Sequence, residues 1–405
     1  MEVILDNNIK VIYKETTSKL TSISISVDAG ACKEKDLLGL AHITEHMVYK
    51  GTKTKSEEEI NKTLSSIFAF QNAMTNYPYV IYYGTLLNED LEKGIELFSD
   101  LIINPIFDKK GFSEEMEVIK EELEEWDEEI EQYCEDKLFL NSFTNRRIKY
   151  PIIGRENDLN NIMLEDVKEF YKENYSPSKT SIAIVSSMPF NKILDIVKKY
   201  FSTWKDNSNA EVINDIDYEI SNFNIYKDKK EGSKIARVQR VFPINELTFK
   251  ELKVFRLFNE YFGEGVNSIL FDTLRTKNSL VYDVLTKVSN EKYIKLYKVN
   301  FSTSVEKLDK SIELLDNCIS DIINMEGENF KVDISSLGKS LKLKRLFREE
   351  QNIIAAKELS TYSTMFGNYK IYNDEIEGLE DITINEILEV AKKVLRNSST
   401  EIIYN

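Results

Sequence analysis

The sequence is poor in residues that break or cross-link a chain: three Cys, six Pro and 14 Gly among 405 residues. Cys32, Cys134 and Cys318 are odd in number and widely spaced, with no CxxC pair, which argues against a disulfide frame and fits reduced thiols in a cytosol. So few prolines and glycines leave little room for long disordered linkers. No run reaches the roughly 18 apolar residues that span a bilayer. The N-terminus, MEVILDNNIKVIYKE, meets an acid at Glu2 where a secretion signal has a basic start and an apolar run. A cytoplasmic protein with no membrane association is expected. Positive charge is also in deficit, with 53 Lys+Arg against 69 Asp+Glu and a net charge of −16. That balance argues against nucleic-acid binding, which needs basic patches facing phosphate, and suits a basic partner. Histidine is scarce as well, with two residues.

What is present reads as alternating strands and amphipathic helices. Val3–Tyr13 alternates around Asp6-Asn7-Asn8 and reads as a hairpin. TSISISV (Thr21–Val27) has strict period-two alternation and reads as a strand. Leu37–Lys50 reads as a helix closed by Gly51, and Ser56–Phe68 as one capped by Ser56. Tyr77–Leu86 reads as a strand, Leu91–Ile103 as a helix and Ser113–Lys137 as a single, very acidic helix. A helix at Leu164–Asn174, a strand at Lys179–Val185 and a helix at Phe190–Phe201 follow. At 205–220 the chain turns polar and loses periodicity, which places a boundary between two domains, 1–212 and 213–405. The order then recurs, with strands at Lys234–Phe242 and Lys292–Ser302, helices at Phe249–Phe262, Asn267–Arg275 and Glu306–Met325, a long helical region from Ser335 to about Met365, and a last strand at Thr400–Tyr404. LEKGIELFSDLI (Leu91–Ile102) is echoed by LDKSIELLDNCISDII (Leu308–Ile323) at a similar depth in the second half.

Both histidines stand in one segment, GLAHITEHMVYKGT (Gly39–Thr52). Positions i and i+4 of a helix share a face, so His42 and His46 can converge on one atom, with Glu45 beside them. This is the H-x-x-E-H order. Neutral imidazoles hold Zn²⁺ at about 2.0–2.1 Å. A free carboxylate next to them can take a proton from water that the metal acidifies. Two positions chosen at random in a chain of this length fall four apart roughly once in two hundred trials, so the motif is far from generic. Catalytic zinc sites usually take three protein ligands and keep one position open. With no third histidine, the remaining ligand is an Asp, Glu or Cys that composition leaves open.

GLAHITEHMVYKGT, the NAMT of Asn72–Thr75 and the EMEVIKEE of Glu115–Glu122 together resemble the pitrilysin/insulinase family of zinc peptidases. The resemblance implies a third ligand 76 residues after the second histidine, at Glu122. It also implies an acid two helical turns earlier, Glu115, as a carboxylate supporting the ligands. Asn72 and Ala73 match the family's edge strand, where a substrate peptide adds by backbone pairing. FGEGVNSILFDTLRTKNSLVYDV (262–284) resembles the family's second-half signature, so Arg275 and Tyr282 are expected to contact substrate and to meet the oxyanion. Three departures stand out. Ser66-Ile-Phe-Ala-Phe70 replaces the usual glycines, Tyr150 stands where a His often precedes Pro151, and Val185-Ser-Ser-Met-Pro189 lacks a glycine.

The resemblance implies an α+β fold of two homologous α/β-roll domains, each a mostly antiparallel sheet packed with helices. One Zn²⁺ per chain is expected, held by His42, His46 and Glu122, with Glu45 as the base. The implied activity is hydrolysis of short or unfolded peptides, leader or presequence peptides among them, with basic peptides favoured if acids line the chamber. The family's chamber uses four such domains, so a homodimer or a heterodimer with a related chain is expected. Two other readings compete. S-ribosylhomocysteine lyase also uses H-x-x-E-H, with a Cys as third ligand, and Cys134 is the candidate here. A structural or partner subunit of a processing-peptidase-like heterodimer would have little activity alone, and its zinc motif would be broken.

Overall fold

The computed structural model describes residues 1–205 and 218–405. The polar stretch read as a boundary falls mostly on 206–217, outside the described residues. In chain order the principal elements are β1 (Glu2–Ile4), β2 (Lys10–Glu15), β3 (Leu20–Val27), α1 (Leu40–Met47), α2 (Glu57–Ile67), β4 (Phe68–Thr75), β5 (Val80–Leu87), α3 (Leu91–Ile103), α4 (Lys109–Glu128), α5 (Ile130–Ser142), α6 (Leu164–Asn174), β6 (Thr180–Ser186) and α7 (Phe190–Phe201). There follow β7 (Ile225–Lys229), β8 (Ala236–Pro243), α8 (Phe249–Phe262), β9 (Val281–Asn290), β10 (Lys295–Thr303), α9 (Leu308–Asn324), α10 (Ile334–Glu349), α11 (Asn352–Phe366), α12 (Ile384–Leu395) and β11 (Ser399–Tyr404).

The strands form two sheets, of order β1-β2-β6-β3-β5-β4 and β7-β11-β8-β10-β9. Setting β1 aside, the two have the same pattern. A parallel pair, β2 with β6 or β7 with β11, precedes three antiparallel pairings. The echo read in the sequence falls on α3 and α9, and, with β1 again set aside, each of these follows the fourth strand of its sheet. The fold is thus α+β with mostly antiparallel sheets.

The chain divides into two compact units, one of Met1–Glu124, Tyr150–Ile216 and Phe347–Tyr372, the other of Glu125–Lys149, Asp217–Leu346 and Asn373–Asn405. Each unit takes one helix from the other half of the chain. In the first unit α11 packs across β3 and β6, and in the second α5 packs across β11 and β8. The acidic helix read as continuous over Ser113–Lys137 is therefore two helices, broken at Glu129 with extended backbone, and the long region after Ser335 is likewise two.

This arrangement explains TSISISV. Its alternation suggests a strand with one polar, open face, yet Thr21–Val27 is buried on both. The isoleucines enter the core, Ser24 meets α11 with its Oγ 2.8 Å from Ser360 Oγ, and Ser22 Oγ lies 2.8 Å from Thr85 Oγ1 on β5; on the neighbouring β6, Ser181 Oγ donates to Ser363 Oγ of α11 at 2.9 Å. Small hydroxyl side chains let a helix lie close on a sheet while pairing their own polar atoms.

Sequence analysis missed β7, β9 and α12, and met β4 only as the edge strand implied for Asn72 and Ala73, without its start at Phe68. In β4 the reason is local: with no glycine in Ser66–Phe70, α2 runs directly into the strand at Phe68, whose backbone is extended at φ −97°.

Candidate active site

The helix carrying both histidines starts later than the apolar pattern suggests. Gly39 takes φ +100°, so α1 begins at Leu40. A Cβ at Gly39 would lie 2.7 Å from the Ile153 carbonyl oxygen and 3.3 Å from the Gly154 Cα, so two glycine backbones meet where a side chain would not fit. Gly39 has no side chain to cap the helix. Glu34 does so, its Oε1 accepting from the backbone N–H groups of Gly39 at 3.1 Å and Ala41 at 2.9 Å. A carboxylate at a helix N-terminus is favourably placed against the macrodipole. These contacts fix the first turn, from which His42 projects.

His42 and His46 stand one turn apart with ring centroids 4.6 Å apart. Glu122, on α4, brings Oε2 to 3.8 Å from His42 Nε2 and 3.7 Å from His46 Nε2. A tetrahedral ion with bonds of about 2.1 Å spaces its ligands about 3.4 Å apart. Two imidazole nitrogens and one carboxylate oxygen at these separations therefore fit Zn²⁺ in both chemistry and size. Among the described residues, His42, His46 and Glu122 are the one group of three or more His, Cys, Asp or Glu side chains whose ligand atoms lie close enough to hold a metal.

The two imidazoles are held differently. Burial, aided by the neighbouring His46, pushes the His42 imidazole down to about 3, so it is neutral. For His46, burial disfavours the charged form, but the hydrogen bond to Glu115 and the nearby Glu45 and Glu122 outweigh it and raise the value. His46 Nδ1 lies 2.9 Å from Glu115 Oε2. An Nδ1–H donated to that carboxylate leaves the Nε2 lone pair aimed at Glu122. Glu115 is itself held as a carboxylate, below its ordinary value, by His46 and by Lys50, whose Nζ also reaches Glu57 and Glu114.

Glu45 faces a different environment, being only 8% exposed. Thr75, the last residue of β4, donates its hydroxyl to Glu45 Oε2 at 2.6 Å. Burial raises the Glu45 carboxyl above the usual carboxylate range, and the Thr75 hydrogen bond opposes that rise. Buried Tyr82 and Tyr175 add to the enclosure, joined oxygen to oxygen at 2.8 Å. Sequence analysis quoted Thr75 within NAMT but gave it no task. Its signal was the alternation of β4, which puts Thr75 and Ala73 on the face opposite Asn72 and Met74.

The other expected residues are distributed as follows. Asn72 is exposed on β4, an edge strand, and its Oδ1 accepts from the Ala73 N–H at 2.9 Å. Arg275 and Tyr282 belong to the second unit. Arg275 lies on a π-turn (Asp272–Lys277), and the chain then reverses through Ser279 at φ +51° into β9. That reversal stacks the Arg275 guanidinium over the Tyr282 ring at 4.8 Å, with Tyr282 83% exposed. Cys134 does not join the metal-binding group. It is buried in the second unit against the Glu401 carbonyl, and burial raises its thiol well above the ordinary value, which removes it as the third ligand.

Two similar α+β units, one bearing a His-His-Glu donor set with a free glutamate beside it, define a two-domain protein of the metallopeptidase type. The chain belongs to the insulinase family, peptidase family M16. Residues 10–156 match the family's insulinase domain and residues 161–330 the domain described as the peptidase M16 inactive domain. It is 23% identical over 365 residues to a protein of Rickettsia felis named uncharacterized zinc protease, covering 90% of this chain and 87% of that one. It is 20% identical over 390 residues to an uncharacterized zinc protease of Bacillus subtilis, covering 96% and 94%. A match at 28% to the mitochondrial-processing peptidase subunit beta of Saccharomyces cerevisiae covers 47% of this chain and 41% of that one. The fold matches the crystal structure of a protease from Helicobacter pylori with a TM-score of 0.89 at 19% identity, covering 100% of this chain and 99% of that chain. No helix among the described residues is long and apolar enough to cross a membrane.

Proposed function

We propose that this chain is a zinc-dependent endopeptidase acting on short or unfolded peptides. The observation that carries the reading is the convergence of His42 Nε2, His46 Nε2 and a Glu122 oxygen beside the buried Glu45. One Zn²⁺ per chain would be held by those three side chains, supplying the Lewis acidity that makes water a nucleophile near neutral pH. Glu45 takes the proton of the attacking water and returns it to the leaving amine. Glu115 fixes the tautomer of His46. A substrate strand pairs with the free edge of β4, displacing the Asn72 side chain from the Ala73 N–H. Arg275 and Tyr282 bind substrate and donate to the oxyanion.

The domains carry different tasks in this reading, with metal binding in 1–212 and substrate contact from 213–405. A dimer, of two copies or with a related chain, completes the chamber. Leader and presequence peptides fit as substrates, and a net charge of −16 favours basic ones.

A partner subunit without activity of its own is the second reading. The similarity of half the chain to cytochrome b-c1 complex subunit 1 of Bos taurus, 25% over 199 residues, favours it. The complete donor set and base favour the enzyme. The deciding experiment measures zinc content and cleavage of a quenched unstructured peptide panel, graded in charge, by wild type and Glu45→Gln. Zinc in both with cleavage by wild type alone supports the enzyme. Zinc without cleavage by wild type supports the partner reading, and a chain that takes up no zinc sinks both the ligand set and the peptidase.

A further inference from the structure

Glu45 has two carboxylate oxygens, and a general base needs one of them aimed at water and the other held still. Thr75 Oγ1 lies 2.6 Å from Oε2, and both residues are 8% exposed. The hydroxyl comes from a rigid support. Thr75 is paired with Val80 across β4 and β5, so its backbone is fixed by the sheet. Its β-branched side chain has few rotamers to choose from. Buried Tyr82 and Tyr175 lie close enough to act on the Glu45 charge, and their rings limit the directions in which the carboxylate can turn. Resting on the peptidase reading above, we infer that Thr75 is a positioning residue: it holds Glu45 Oε2 in the wall of the site and leaves Oε1 to receive the proton of the attacking water. Nothing in this role requires Thr75 to touch substrate or metal. NAMT thus serves twice, through Asn72 and Ala73 towards substrate and through Thr75 towards the base.

The test uses the full chain with Thr75→Val, Thr75→Ser and Thr75→Ala, each also combined with Glu45→Gln. A hydrogen bond to a charged group sets the expected loss at roughly 10- to 100-fold. The valine variant should lose that factor in kcat, with KM and zinc content unchanged, and serine should restore most of it. In the Glu45→Gln background the valine change should cost nothing more. If valine does not fold, alanine carries the same expectation. A readout independent of turnover is the crystal structure of each metal-free chain. Glu45 should be in one orientation in wild type and Thr75→Ser, and reoriented or split in Thr75→Val. An active wild type with an equally active valine variant, equal losses in serine and valine, or an unmoved Glu45 in Thr75→Val would each overturn the inference. A wild type that cleaves no peptide sinks the peptidase reading itself and takes this inference with it.

Discussion

His46 and Glu115 are joined across two helices by a 2.9 Å hydrogen bond between imidazole Nδ1 and carboxylate Oε2, with Lys50 on the far side of the carboxylate. Loss of such a supporting carboxylate typically weakens metal binding 10- to 100-fold, because ring orientation and tautomer are no longer fixed. Glu115→Ala should therefore weaken zinc binding by about that factor in a chelator competition titration. Glu115→Gln, which still offers an acceptor oxygen to Nδ1–H, should fall between alanine and wild type. An affinity unchanged in the alanine variant would show that His46 is oriented by its own helix alone.

Arg275 and Tyr282 call for a test that separates substrate contact from folding. Tyr282 is 83% exposed, so Tyr282→Phe should leave the melting temperature unchanged. If its hydroxyl meets the oxyanion, kcat should drop by about 10²- to 10³-fold, the usual cost of one such donor. Arg275→Lys keeps the charge but loses the planar fork and its stacking on the ring, and should be nearly as harmful. Wild-type turnover in Tyr282→Phe would remove the pair from the chemistry. Zinc content should not move in either variant.

How much of this was legible in the sequence differs between site and fold. Two histidines four apart on a helix pointed to a shared site, and the resemblance supplied Glu122, which α4 brings to the imidazoles. Thr75 was hidden because its partner is distant in sequence and a threonine ending a strand is ordinary. The cap on α1 was hidden for the same kind of reason, since Glu34 acts through space on a glycine N-cap. Long amphipathic helices, such as Leu91–Ile103 and Phe249–Phe262, were read to the residue because one face alone decides them. The burial of the β3 serines was not legible because α11, which meets Ser24, lies more than 300 residues later. The break at Glu129 carries no proline or glycine. It exists so that α5 can leave α4 and cover β8 and β11, which is a tertiary demand that no local pattern expresses.

The covering of the second sheet by α5 places a titratable group under strain, and its pH dependence can be worked out. Glu401, on β11, is fully buried. Asn141 of α5 donates to its Oε2 at 2.9 Å, while Oε1 has no hydrogen-bond partner among the described residues. Burial, reinforced by the nearby Asp228, raises the carboxyl to about 7, with the Asn141 hydrogen bond pulling the other way. An unfolded glutamate titrates near 4.3. Below that value both states are protonated and the group has no effect on stability. Between it and about 7 the unfolded chain releases a proton that the folded chain retains, so stability falls as pH rises. Above about 7 the loss is complete and constant, at an upper bound of about 4 kcal/mol. Glu401→Gln removes the ionisation and keeps an acceptor for Asn141. It should melt higher than wild type at pH 8.5, with the advantage shrinking steadily as pH is lowered and vanishing near pH 4.5. An advantage of equal size at both ends of that range would mean that the substitution acts through packing and that Glu401 is not protonated in the fold.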